Sequence, residues 1–169
     1  MFLIGTYSFS DEVFLSGGLA FTPETQITGF YSRTLKLQPA AEAESFFYIN
    51  FNDFIKAGLS GGFLYAFSSD INGGWSYPGF SGIETGAEIR AVMPFLHSIE
   101  LGVGADAGWY RYSLTENFFF LPSVTLSPAF KLYGNELTDL YVELPFKYYF
   151  HKQADIFLSA GLKFRAVFK

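Results

Sequence analysis

The 169 residues fit a single domain (1–169), half hydrophobic and 21% aromatic. A net charge of −5 without a basic run excludes a nucleic-acid-binding surface and a basic membrane-surface helix. The lack of Cys excludes disulfides, thiolate metal sites and Cys nucleophiles.

Helices are disfavoured by composition. No window offers the roughly 18 consecutive apolar residues of a membrane helix, and seventeen Gly and seven Pro break helical runs. The chain reads instead as strands. Met1–Phe9 has no basic segment and no small-residue cleavage site. An exported protein of this sequence is therefore expected as a mature chain with its signal peptide absent. In chain order, ten strands are predicted at 2–9, 13–22, 26–37, 45–52, 55–67, 82–95, 98–112, 118–134, 138–150 and 154–168. The alternative is eight, because 2–9 and 45–52 are short.

The connections alternate in character. Pro23-Glu24-Thr25, Asn52-Asp53, Leu96-His97 and Gly134-Asn135-Glu136 read as tight turns. The intervening set holds the longest loop, Ser68–Ser81, with Pro39–Glu44, Ser113–Asn117 and the short Ser10–Glu12 and His151–Gln153. Short turns at one end and longer loops at the other are the habit of membrane barrels, whose turns face the periplasm.

The last strand shows the pattern most clearly. Ile156, Leu158, Ala160, Leu162, Phe164, Ala166 and Phe168 share one face, and Phe157, Ser159, Gly161, Lys163, Arg165 and Val167 share the other. The same apolar parity runs through Ile55–Phe67, Ile83–Phe95, Ile99–Trp109, Phe120–Leu132 and Leu140–Phe150, without a charge on that face. Such a face suits lipid, where a charge costs about 2–4 kcal/mol at the midplane.

Aromatic girdles are predicted at two levels. Phe67, Trp109, Tyr110, Tyr112, Phe118, Phe119, Tyr148, Tyr149 and Phe150 fall near the loop end. Phe21, Phe51, Phe54, Phe95, Tyr133, Phe164 and Phe168 fall near the turn end. Phe120 and Phe130 are ten residues apart on one face, which at a tilt near 40° is about 25 Å along the barrel axis, the height of a lipid-facing band.

The opposite face carries Lys56, Arg90, Lys131, Lys147, Lys163 and Arg165 with Glu84, Glu88, Glu100, Asp106 and Glu143. These make a near-neutral lumen in which each charge needs a partner or water. Glu143 is expected to pair with Lys163. Arg33 falls on the outward parity, which predicts a bulge or a register shift. Pro128 and Pro145, inside strands, predict a local bend.

These residues resemble the small bacterial outer-membrane β-barrels of the OmpA, OmpX and OmpW type. The resemblance is architectural, covers nearly the whole chain and matches no single family. Gly161, Phe164, Ala166 and Phe168 look like the C-terminal β-signal of such proteins. The departures are an early Gly, Ala166 where a larger residue is common, and the trailing Lys169. The resemblance implies a bacterial outer-membrane location, export with a cleaved signal, and folding by the barrel assembly machinery.

The fold expected is all-β, an antiparallel up-and-down transmembrane barrel of ten strands or eight. No catalytic constellation is present. His97 falls in a turn and His151 in a short loop near Asp155, and no nucleophile elbow, zinc helix or phosphate loop occurs. No enzyme activity, cofactor or metal is expected; Asp70 and Asn72 read as turn chemistry. The charged lumen predicts a narrow channel or conduit for small or hydrophobic solutes, with the lipid bilayer as its surroundings. The alternative is a structural or adhesion barrel with a plugged lumen, whose outer loop binds a partner through Trp75, Tyr77 and Phe80.

Overall fold

The computed structural model describes residues 14–29, 35–71, 75–77, 79–93, 96–113, 117–151 and 156–169. Among them the chain forms β1 (Phe14–Gly29), β2 (Leu35–Asn50), β3 (Ile55–Ala66), a small hairpin of β4 (Ser69–Ile71) and β5 (Trp75–Tyr77), then β6 (Phe80–Met93), β7 (Leu96–Tyr112) and β8 (Phe118–Gly134). It ends with β9 (Thr138–Glu143), β10 (Phe146–Tyr149), β11 (Ile156–Gly161) and β12 (Lys163–Phe168).

Ten of these segments make one antiparallel sheet, and β4 and β5 pair with each other. Sequence neighbours pair from β1 through β8 once the small hairpin is set aside. β9 and β10 both pair with β8 and are collinear; β11 and β12 are collinear likewise. β1 is paired along both edges, with β2 on one side and with β11 and β12 on the other. The pairings thus return to their start, and the ten segments stand as eight staves.

Proline explains both interruptions. The chain leaves β9 at Leu144-Pro145 and leaves β11 at Leu162. Leu144 N–H donates to the Pro128 carbonyl (2.9 Å), Gly161 N–H to that of Pro145 (3.2 Å) and Leu162 N–H to that of Pro23 (3.1 Å). In each pair the proline has no N–H to return, so half of the exchange is missing. Pro23, Pro128 and Pro145 therefore draw a line of weakened pairing across four adjacent staves.

The early part of the chain differs from its sequence reading. Pro23-Glu24-Thr25 is no turn: it lies within β1. Pro39–Glu44 is no loop: it lies within β2, which faces Pro23 with Ala41 and Thr25 with Pro39. The predicted strands 13–22 and 26–37 share β1 between them, and 26–37 and 45–52 share β2. Pro39 is accommodated because the Gln38 side chain replaces its missing donor: Gln38 Nε2 donates to the Phe67 carbonyl at 2.8 Å, while Phe67 N–H donates to the Pro39 carbonyl. The predicted strand 2–9, Ser10–Glu12, Arg33 and Phe95 lie outside the described residues. Leu96 and His97 belong to β7 rather than to a turn.

From Ile55 onward the elements follow the alternation of the sequence. Two turns at the short end are built alike. Asn52 Oδ1 accepts from the N–H groups of Phe54 and Ile55 (both 2.8 Å), and Asn135 Oδ1 from those of Leu137 and Thr138 (2.9 and 2.8 Å). The start of β1 and the end of β12 lie at this same end, where Gly17 faces Phe168 and Phe14 faces Asn50. The β4–β5 hairpin lies at the opposite end.

One parity of every stave points outward and is apolar. Leu19, Leu37, Leu59, Ile83, Ile89, Val103, Trp109, Phe146 and Phe168 are all exposed. Among the described strand residues of this face the one full charge is Arg111, near the loop end, with its guanidinium 5.9 Å from the Phe118 ring. A charge at the rim of an apolar band can reach water along its own aliphatic stem.

Candidate functional site: the filled lumen

The inward parity assembles a charged core. Arg90 and Arg165, each almost completely buried, lie on β6 and β12 and converge on two carboxylates. Arg90 binds Glu143 (2.8 Å) and Glu88 (2.8 Å), with Glu100 at 3.8 Å. Arg165 binds Glu100 (2.7 Å) and pairs with Glu143. Lys56 also binds Glu100 (2.7 Å), and the Ser127 hydroxyl donates to Glu143 (2.6 Å). Tyr48 joins the network by donating to Glu88 and accepting from Arg90 Nε (2.9 Å). The Arg165 guanidinium lies 4.4 Å from the Tyr141 ring, so its flat face is covered as well. Gly102 makes room for this core, since a Cβ there would meet the Arg90 guanidinium at 3.2 Å.

A second cluster lies nearer the loops. Lys147 Nζ is held by Glu84 (2.5 Å) and Glu42 (3.0 Å), and Tyr110 donates to Glu84. Asp106 accepts from the Thr125 hydroxyl (2.6 Å). Lys131 binds Asp139 at 2.7 Å near the turn end, where Lys169 reaches the same carboxylate at 3.0 Å.

The structure places Lys56, Glu84, Glu88, Arg90, Glu100, Asp106, Lys131, Glu143, Lys147, Lys163 and Arg165 on the inward parity of their staves, with Lys131 30% exposed. One pairing needs correction. Lys163 does stand opposite Glu143 in the β9–β12 register. Its ammonium nevertheless bonds to Glu44, because the two arginines already occupy Glu143. Sequence reasoning missed Glu24, Glu42, Glu44 and Asp139. The first three had been placed in a turn and a loop around Pro23 and Pro39; their even-numbered spacing in 24–44 was the signal that could have found them.

Both ends of this core are closed by side chains. At the loop end Leu64, Phe80, Tyr110, Leu121, Tyr149 and Phe157 pack into a buried cluster, flanked by Tyr112 and Phe119. The Phe119 ring lies 4.5 Å from that of Tyr112 and 5.5 Å from that of Phe80. At the turn end Phe46, Tyr48, Tyr141 and Val167 pack together. The space left between Glu42, Arg90, Asp106 and Lys163 is only about 20 Å³, enough for a single water. A polar recess of about 210 Å³ opens beyond Lys56 and Glu100 at the turn end.

This packing changes the place of several predicted aromatics. Tyr110, Tyr112, Phe119 and Tyr149 point inward, whereas Phe67, Trp109, Phe118, Tyr148 and Phe150 point outward. Phe80, expected as an exposed loop anchor, is buried in the loop-end cluster, because its even parity continues the inward face of β6. Trp75 and Tyr77 lie on β5 of the small hairpin. His97 stacks on Phe54 with ring centres 6.3 Å apart. His151 lies against Phe157, where partial burial lowers its pKa from the ordinary imidazole value. Asp155 lies outside the described residues.

No protein-family model matches the chain, and no curated protein matches it in sequence. Solved structures do match in fold. Neisserial surface protein A superposes with a TM-score of 0.65 at 10% identity, covering 92% of this chain and 96% of that one. The attachment invasion locus protein Ail of Yersinia pestis, solved with the heparin analogue sucrose octasulfate, gives 0.51 at 10% identity, covering 91% and 97%. The chain therefore has the fold of the small outer-membrane β-barrels.

Proposed function

We propose that this chain is an integral barrel of the bacterial outer membrane that works through what its loop end binds, with a sealed lumen as its structural core. The filled lumen is the observation that carries this reading. Between two packed side-chain layers the described interior is occupied by hydrogen-bonded ion pairs, and the void between Glu42, Arg90, Asp106 and Lys163 holds about one water. A conduit would need a continuous wet path.

The apolar outer face supports the membrane setting. Contiguous exposed Leu, Ile, Val and Phe on every stave would drive aggregation in water. The stave ending in Phe168 is the part we assign to recognition by the barrel assembly machinery. At the loop end the hairpin bearing Trp75 and Tyr77 is the binding element we favour, since amphipathic aromatics make efficient anchors. The heparin analogue seen with Ail does not transfer easily. The chain carries a net charge of −5 and no run of basic residues, which does not favour a polysulfate.

Planar-bilayer recording tests the sealed lumen. The wild-type protein is expected to give no steady conductance at any applied voltage. A sustained current that changes with Lys147→Ala would return the function to a conduit.

A further inference from the structure

Charge inside the barrel is unevenly distributed along its axis. Toward the turns, Lys56, Arg90 and Arg165 are matched by Glu88, Glu100 and Glu143. Toward the loops, once the Lys163–Glu44 pair is set aside, the one ammonium among the described side chains that faces Glu24, Glu42, Glu84 and Asp106 is Lys147. Glu42 and Glu84 already share that ammonium. Among the described residues Glu24 is in no ion pair, although it is 7% exposed.

Its neighbours on β1 deepen the deficit. Thr22 and Gln26 share its inward face, and each is 1% exposed. The Gln26 amide nitrogen donates to Glu24 (3.4 Å), and among the described residues the buried Gln26 Oε1 and Thr22 Oγ1 have no hydrogen-bond partner. Ser159 stands opposite Gln26 on β11, with its hydroxyl beside the Glu24 carboxylate. A buried oxygen without a partner is costly, and more so when charged. One carboxylate, one amide oxygen and one hydroxyl make a ligand set of hard oxygens with one negative charge.

We propose that this corner of the lumen binds an alkali cation, Na⁺ or K⁺, held by Glu24, Gln26 Oε1 and Ser159. Oxygen donors of this kind are those hard cations choose. A single carboxylate suits a monovalent ion, and among the described residues no three carboxylate or imidazole groups converge as a divalent or transition metal would require. The ion would also offset part of the negative charge beneath the loop-end cluster.

The test is refolding the full chain into lipid or detergent in NaCl, KCl or N-methylglucamine chloride at equal ionic strength, followed by melting. Binding predicts a Tm higher by about 2–4 °C in at least one alkali salt than in the N-methylglucamine salt. Gln26→Leu and Glu24→Gln should abolish that difference, and Glu136→Gln at the exposed turn should keep it. If Glu24→Gln does not fold, Gln26→Leu alone decides. Equal melting in the three salts overturns the proposal and leaves a proton or a water in that place. So does an alkali-specific rise that survives in Gln26→Leu.

Discussion

Glu143 shows what a buried charge demands of its neighbours. It is fully buried and serves two arginines and a serine at once. Removing it leaves Arg90 and Arg165 with one carboxylate fewer at a fully buried site. Glu143→Ala is expected to destabilise the barrel by about 3–5 kcal/mol in urea unfolding from lipid vesicles. Lys131 makes a pair of similar length, yet its side chain is 30% exposed and Lys169 holds the same Asp139. Lys131→Met is expected to cost less than about 1 kcal/mol in the same assay. A loss at Lys131 equal to that at Glu143 would show that burial does not set the scale.

Among the elements, the staves differ in how plainly the sequence announces them. From Ile55 to Phe168 the staves alternate apart from register shifts at Val92/Met93 and Lys131/Tyr133, so most of the outward and inward sets can be read by counting in twos. β1 and β2 could not, because Pro23 and Pro39 look like turn residues and hid Glu24, Glu42 and Glu44. In an isolated strand those prolines would end the ladder. Here Gln38 repairs one gap with its side chain, and the other falls where β11 passes to β12. Ion-pair partners were also illegible, because Lys163 and Arg165 reach across the lumen and register alone does not choose among carboxylates. The β4–β5 hairpin is separable from all of this, since its strands pair only with each other in the sheet ladders. Deleting residues 69–77 is expected to leave the barrel folded, as judged by far-UV circular dichroism and heat-modified gel mobility. It should remove the adherence of cells that display the protein. Adherence that persists would place the binding surface elsewhere on the loop end.

Across the whole molecule the faces of a soluble protein are exchanged: ions within, hydrocarbon without. This arrangement is stable only where the surroundings are themselves apolar. Val103, exposed midway along β7, samples that environment directly. Val103→Arg is expected to lower the unfolding free energy in lipid vesicles by about 2–4 kcal/mol. The native Arg111 on the same face of the same strand stands close to the loop-end rim and escapes that penalty. If Val103→Arg unfolds like the wild type, the outer face is not in contact with lipid.

The pairing of β1 with the final stave also governs how the molecule can come into being. Gly17 finds Phe168 only after almost the entire chain has been made. Until then β1 and the growing end each present an unpaired edge, next to a side already rich in Leu and Phe. Contacts so distant in sequence form late and slowly. The molecule therefore spends its most vulnerable period with two adhesive edges exposed, and anything that accompanies the unfinished chain must shield them until they meet.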